Sequence, residues 1–268
     1  MKDDDPRKKY WNEKYVNYWR ERVAEAGSGN SEIINGDART SSDEVWTNLI
    51  NGTKFQNGNI LDVGCGWGRF FQMYIEKDLT VYGVDISTEM IIASSKKWYN
   101  HDKVKNIQEA TAEGLPFEKE MFNNLICIGT FDATFQEKAI NEFLRVTKPR
   151  GLIYFSGKNT KYHSNDKAAL AAEVGARRKG HPNYFTRTND LLSDLEKHGH
   201  KVVKSYYFER RGDLAAMNFK NSMPEYFYEY FIVIKCGKNV GTIGSHYDEH
   251  SETFDIIQHA KINSRNIT

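Results

Sequence analysis

The chain has 268 residues, enough for one sizeable α/β domain with additions or for two small domains. Lys and Arg total 37 against 36 Asp and Glu, so the net charge of +1 gives no global attraction to nucleic acid or to a membrane surface. The 3 cysteines, Cys65, Cys127 and Cys236, are odd in number and far apart, which argues against a disulfide scaffold and for a reducing, cytoplasmic setting. No apolar run approaches the length of a membrane span, and the start Met1-Lys2-Asp3-Asp4-Asp5-Pro6 lacks a signal-peptide core.

In chain order, Tyr10 to Ala26 comes first and is rich in aromatics, with Trp11, Tyr15 and Tyr18 at helical spacing and Trp19 beside them. It reads as an amphipathic helix packed on the domain, or as a lid whose aromatics offer contact area with polar tips. Ser41 or Ser42 can cap a second helix, because Asp43, Glu44, Val45, Trp46, Leu49 and Ile50 follow with acids in the first turn. Ile60 to Val63 is a short apolar strand that stops at the alternating glycines Gly64, Gly66 and Gly68; Phe70 to Ile75 continues as a buried helix.

Strand and helix then alternate. Thr80 to Ser87 is a strand ending in Asp85, and Ser87 or Thr88 caps a helix over Glu89–Tyr99. Val104–Glu109 is a third strand, Asn124–Gly129 an almost wholly apolar fourth, Glu137–Val146 a helix and Leu152–Ser156 a fifth strand. This order predicts a doubly wound parallel sheet. From Gly157 the pattern turns polar and basic up to Thr186, with a helical piece at Lys167–Ala176. A helix at Asn189–His198, capped by Thr188 or Asn189, precedes two strands, Lys201–Glu209 and Glu225–Lys235, expected as an antiparallel pair at the sheet edge. The tail from Gly237 reads as a surface extension with one short helix around Phe254–Ala260.

The glycine loop restricts the ligand. A dinucleotide fingerprint requires a third glycine where Arg69 stands, and a phosphate-cradling loop requires a following Gly-Lys-Ser/Thr that is absent. Asp85 lies about 20 residues on, where a carboxylate accepts from both hydroxyls of a ribose. Loop and carboxylate together suit a nucleoside ligand without a pyrophosphate.

Leu61-Asp62-Val63-Gly64-Cys65-Gly66-Trp67-Gly68 resembles the first motif of the class I S-adenosylmethionine-dependent methyltransferases of the small-molecule, type 11-like group. Val81–Ser87 resembles their second motif, Ala112–Phe117 the segment around the adenine, and Phe143–Gly151 the helix and turn before the fifth strand. The resemblance implies a Rossmann-like, doubly wound, seven-stranded sheet, mostly parallel with an antiparallel edge hairpin. It also implies S-adenosylmethionine as cofactor. Gly64, Cys65, Gly66 and Gly68 would face its methionine and ribose parts, Asp62 would orient the loop, Asp85 would take the ribose hydroxyls and Ile86 would line the adenine. Ala112 would offer its amide to the adenine, Thr111 or Glu113 would reach the adenine amino group, and Gly129 would pass the methionine. The expected organisation is a helical cap over 1–55, a methyltransferase domain over 56–236 with a substrate-lid insert at 157–188, and an extension over 237–268.

Methyl transfer from a sulfonium is an in-line displacement, so the nucleophile must be held behind the methyl group and relieved of its proton. Candidate bases are Asp132, which can equally cap a helix, His181 beside a rigid Pro182, and His163. Tyr15, Trp19 and Thr130 are candidate acceptor contacts. Arg177 and Arg178, like Arg210 and Arg211, either decorate a solvated face or meet an anionic acceptor, phosphorylated or sugar-linked. His246 and His250 lie four apart, but no Cys/His cluster flanks them, and a metal site is discounted.

These residues favour methylation of an oxygen on a small metabolite. The Asn-Pro-Pro-Tyr type of motif of amino-methylating enzymes is absent after the fourth strand, and the neutral charge disfavours RNA. Competing readings are a small-molecule N-methyltransferase, a non-catalytic S-adenosylmethionine-binding regulator, and a nicotinamide oxidoreductase undercut by Arg69. A small-molecule acceptor is expected as partner, without nucleic acid or membrane; the oligomeric state, a homodimer included, stays open.

Overall fold

A computed structural model describes residues 5–15, 43–238 and 241–265. The segment 16–42, with Tyr18, Trp19 and the caps at Ser41 and Ser42, lies outside the described residues. What is described of the N-terminal segment is α1 (Pro6–Tyr10), capped by Asp5, whose carboxylate accepts from the Arg7 amide at 2.9 Å, followed by a π-helical turn, Trp11–Tyr15.

The strands are β1 (Asn59–Val63), β2 (Thr80–Asp85), β3 (Val104–Glu109), β4 (Phe122–Cys127), β5 (Thr147–Asn159), β6 (Phe185–Thr186), β7 (Lys201–Phe208), β8 (Glu229–Lys235) and β9 (Tyr247–Asp248). The order β3-β2-β1-β4-β5 is parallel throughout, β8 runs antiparallel to β5, and β7 antiparallel to β8. This is the Rossmann-like doubly wound sheet with the antiparallel edge pair. Two short additions extend it: β6 pairs parallel with Lys158 and Asn159, and β9 pairs antiparallel with β6.

β5 is longer than its apolar stretch. It starts at Thr147 because the turn residues pair into the sheet, with Arg150 at φ 71° donating its amide to the Cys236 carbonyl at 2.8 Å. It also runs past the last β4 pair, Cys127↔Phe155, and so carries Lys158 beyond the carboxyl edge of the sheet.

Side-chain alternation along the strands divides the core into two layers. Leu61, Val63, Leu125 and Phe155 face Ile140 and Phe143 of α5 (Gln136–Val146) and Leu191 and Leu195 of α7 (Thr188–Lys197). Ile60, Val81, Ile126 and Tyr154 face Leu49 and Ile50 of α2 (Asp43–Asn51) and Phe71 and Tyr74 of α3 (Phe71–Glu76). α4 (Thr88–Lys97) is capped by Ser87, whose hydroxyl accepts from the Met90 amide at 3.3 Å. Two expected caps differ. Thr188 donates its hydroxyl to Asn159 Oδ1 at 2.8 Å, so α7 starts without a side-chain cap. Asp132 lies in a short 3-10 turn, Phe131–Ala133, with its carboxylate on Lys158.

The tail is more than a surface extension. Ile243 is buried in the first core layer, β9 joins the sheet, and α8 (Glu252–Arg265) follows. It is tied to α6 (Lys167–Lys179) through the fully buried Glu173, which accepts from Tyr162 Oη at 2.5 Å, Ser251 Oγ at 2.7 Å, the Ser251 amide at 3.1 Å and Arg177.

Removing Glu173 strands these donors in the core. Glu173→Ala is expected to lower unfolding free energy by about 3 kcal/mol or more, measured as a reduced urea midpoint. A change below roughly 0.5 kcal/mol, the size typical of a surface site, would mean that the tail is held elsewhere.

Candidate functional site

The glycine loop is made by the end of β1. The Gly64 and Cys65 amides both donate to the Val84 carbonyl, at 2.8 and 3.0 Å, so the chain has to turn away from β2 at that point. Gly64 turns with φ 75°, and a Cβ there would lie 2.3 Å from Thr130 Oγ1. Gly66 has φ 54° and open space where its Cβ would stand, leaving bare backbone toward the cavity. Its amide donates to Asp85 Oδ2 at 2.9 Å, and the Ser87 amide donates to Asp85 Oδ1 at 2.8 Å. Burial raises the Asp85 pKa, with these amides opposing the shift.

A single cavity of about 980 Å³ runs from this loop across the carboxyl edge of the sheet. That is at the upper end of the roughly 300–1,000 Å³ typical of small-molecule sites. Its first half is lined by Gly64, Cys65, Gly66, Asp85, Ile86, Met90, Thr111, Ala112, Glu113 and Gly129. Two expected contacts lie behind it. Asp62 is buried in the second core layer, where Tyr74 Oη donates to it at 3.1 Å, and burial pushes its carboxyl up to about 7. Gly68 backs onto the Trp98 ring, where a Cβ would meet Nε1 at 2.5 Å. Both support the loop from below, because strand alternation turns Asp62 away from the cavity.

Glu113 is placed at the cavity but committed. Arg7 donates to its Oε1 at 2.5 Å and the Phe135 amide donates to the same oxygen at 2.7 Å. Its carboxylate thereby latches the N-terminal helix to the cavity rim. The Arg7 guanidinium also binds Asp5 at 2.7 Å; burial opposes its charge, but these two acids outweigh burial and raise its pKa.

The second half of the cavity is lined by Thr130, Asp132, Lys158, His181, Asn183, Arg211, Tyr228 and Glu229, together with the small face of α6 at Ala168, Ala171, Ala172 and Gly175. Lys158 Nζ binds Asp132 at 2.6 Å and donates to Asn183 Oδ1 at 2.5 Å. Burial works against the ammonium, but Asp132 outweighs it and raises the Lys158 pKa. His181 stacks on Tyr10, with ring centroids 5.1 Å apart, and meets the Trp11 edge at 5.3 Å. Burial, then the Lys158 charge, pushes His181 down to about 4, so its imidazole is neutral at physiological pH.

Other expected acceptor residues are not brought here. His163 lies outside the lining, 3.7 Å from Glu209 and beside the Tyr226 ring. Arg177 is pinned on Glu173 with its guanidinium 3.9 Å above Phe254, and Arg178 is exposed; neither lines the cavity. Tyr15 ends the π-helical turn, and Trp19 lies outside the described residues. His246 and His250 diverge: the first binds Asp194 at 2.8 Å, the second faces Phe254. Sequence reasoning missed Arg7, Lys158, Asn183 and Glu229. A charged residue at the end of an apolar run was the available signal, as at Glu229 before Tyr230–Ile234.

Comparison with known proteins agrees with this geometry. Residues 61–155 match a family described as a methyltransferase domain. Over 164 residues the chain is 31% identical to the ubiquinone biosynthesis O-methyltransferase of Colwellia psychrerythraea, covering 56% of this chain and 63% of that one. Over 130 residues it is 28% identical to the ubiquinone/menaquinone biosynthesis C-methyltransferase UbiE of Neisseria meningitidis, covering 46% and 53%. The fold is shared with phosphoethanolamine N-methyltransferase 2 of Haemonchus contortus, solved with S-adenosyl-L-methionine, at a TM-score of 0.62 and 13% identity over 86% of this chain and 60% of that one. Over residues 61–155 the chain is similar to the class I S-adenosylmethionine-dependent methyltransferases, whose cofactor is S-adenosylmethionine. It spans about half the length of the first curated relatives it matches, 51% and 53%. Among the described residues no helix is long and apolar enough to cross a membrane.

The residues present fit that cofactor: the open backbone at Gly66 is a cradle a side chain would fill, and Asp85 supplies carboxylate oxygens beside it. Asp85→Asn keeps an acceptor for the Gly66 amide while removing the charge. It is expected to weaken S-adenosylmethionine binding about 10–100-fold, the value of one or two hydrogen bonds to a charged group, by calorimetry. Affinity within about threefold of wild type would exclude Asp85 from the ribose role.

Proposed function

We propose that the chain transfers a methyl group from S-adenosylmethionine to an oxygen of a small metabolite enclosed in the second half of the cavity. The observation that carries this reading is the continuity of one cavity from the glycine loop and Asp85 to the Asp132–Lys158 pair, at the carboxyl edge where doubly wound sheets bind ligands. When bound there, the cofactor supplies an electrophilic methyl carbon on a sulfonium. The protein's own residues bind and orient: the loop and Asp85 fix the donor, Tyr10 and Trp11 roof the site, and the small face of α6 leaves room for the acceptor. Arg7, Tyr10 and the small residues of α6 line the cavity around both halves.

The acceptor's polarity follows from the cations. Arg177 and Arg178 no longer argue for an anion, but Lys158 and Arg211 line the acceptor end, and with Asn183 they suit a hydroxyl compound that also carries a phosphate or an acid. An amine acceptor would enter as an ammonium beside the same cations, which makes N-methylation the weaker reading. The activity belongs to the cytoplasm in this proposal, and a homodimer is compatible with it.

Calorimetry with S-adenosylmethionine and the demethylated product, followed by transfer of labelled methyl groups to a panel of phenols, hydroxy acids, phosphorylated alcohols and sugars, tests the proposal. Binding without transfer to any acceptor in the panel favours a regulatory protein, and transfer only to amines overturns the oxygen assignment. With the best oxygen acceptor, Lys158→Met is expected to lower kcat about 10²-fold, the scale of losing one charge-stabilising group. His181→Phe, which keeps the stacking surface under Tyr10, is expected to stay within about threefold of wild type. A larger loss in His181→Phe than in Lys158→Met would reverse their roles.

A further inference from the structure

We propose, resting on the oxygen-transfer reading above, that Glu229 is the general base that takes the proton of the acceptor hydroxyl, with Lys158 holding that oxygen as it becomes anionic. Four carboxylates line the cavity, and three of them are committed. Asp85 is held by the Gly66 and Ser87 amides, Glu113 by Arg7 and the Phe135 amide, and Asp132 by Lys158. Glu229 also lines the cavity, and among the described residues its carboxyl makes no hydrogen bond or ion pair.

Its position follows from the sheet. β8 runs antiparallel to β5, so its first residue lies at the carboxyl edge of the parallel strands. Glu229 is the register partner of Lys158, which sets the two side chains on one face as cross-strand neighbours. The run that follows, Tyr230 to Ile234, is buried without exception, so the acid stands at the one end of the strand that meets the cavity instead of the core.

The groups facing this carboxyl come from every neighbouring element. Burial disfavours the carboxylate, Lys158 of β5 and Arg211 beyond β7 favour it, and Asp132 and Asp166 oppose it; Tyr228 beside it is a neutral phenol. The balance pushes Glu229 up to about 7, so it is shared between its two forms near neutral pH, the condition for an efficient base. Because the carboxylate is the active form, transfer should rise with pH through that value and fall below it.

In the step, the O–H bond breaks with its proton passing to a Glu229 carboxylate oxygen and its electron pair staying on the acceptor oxygen. That pair forms the new O–C bond to the methyl carbon, and the C–S pair departs with sulfur, which ends uncharged. Lys158 stabilises the developing oxyanion. A hydroxyl acceptor gains from both groups.

Two measurements test this. Carbon NMR of the 268-residue chain with carboxyl-labelled glutamate is expected to show one glutamate carboxyl titrating near neutrality, absent from Glu229→Gln; with aspartate labelling, Glu229→Asp is expected to add one such carboxyl to that of Asp62. Wild type without such a carboxyl, or Glu229→Gln still showing it, overturns the proposal. In methyl transfer, catechol has to lose its proton, whereas para-nitrophenol is already ionised in mild alkali. Glu229→Gln is expected to lose about 10²-fold or more on catechol, little on para-nitrophenol, and Glu229→Asp to recover part of the loss. Equal losses on both probes, or none on catechol, overturn the base role. Unchanged S-adenosylmethionine affinity in Glu229→Gln establishes that the donor half is intact. Wild type that binds S-adenosylmethionine but methylates neither probe counts against the oxygen-transfer function itself, while the titration still decides whether Glu229 is poised to accept a proton.

Discussion

The Val84 carbonyl accepts from both the Gly64 and Cys65 amides, and the site depends on that doubled hydrogen bond. β1 is paired on both edges, with Val63 opposite Val84 on one side and Asp62 opposite Ile126 on the other. A central strand in such a frame cannot slip by one residue without exchanging its two faces, which would bring Leu61 and Val63 into the layer of Tyr74 and take Asp62 out of it. With the register locked, the chain leaves the sheet at Gly64, Gly66 meets Asp85, and the cavity opens above them. The two buried supports, Asp62 with Tyr74 and Gly68 against Trp98, keep the turn in place from the apolar side.

Above this frame the cavity is polar in an ordered way. Three of its acids are held by other groups: backbone amides for Asp85, the N-terminal helix for Glu113, the overrunning end of β5 for Asp132. Burying a charge is unfavourable unless it is paired, so each of these contacts also fixes an element's position. Arg7 holds α1 over the donor end, and Lys158 holds the 3-10 turn and Asn183 at the acceptor end. Glu229 stands apart from this pairing, and that sets it chemically apart from the other acids.

The insert after β5 and the C-terminal tail form one supporting unit. α6 presents its small residues to the cavity while Glu173, on another face, fastens it to Tyr162 and Ser251. β6 and β9 add their pairings beyond the end of β4. This side of the cavity is thus held by contacts that do not involve the glycine loop.

The sequence by itself determined the local pieces: the apolar strands, the cap at Ser87, the turn at Gly64 and Gly66, the acid ending β2 and the doubly wound order. These follow from short-range periodicity and turn chemistry, which a chain states residue by residue. The donor half of the cavity was legible for that reason, since Gly64, Gly66 and Asp85 lie within one strand–turn–helix–strand unit. The acceptor half was not. Arg7 meets Glu113 across 106 positions of sequence, Lys158 takes up Asp132, and Glu229 reaches the cavity because β8 is antiparallel. Arg177 and His163, plausible by composition, are drawn to Glu173 and to the neighbourhood of Glu209 instead. Only the tertiary structure decided which charges pair and which carboxyl remains for chemistry, because pairing depends on distance and burial in space, and neither is written in spacing along the chain.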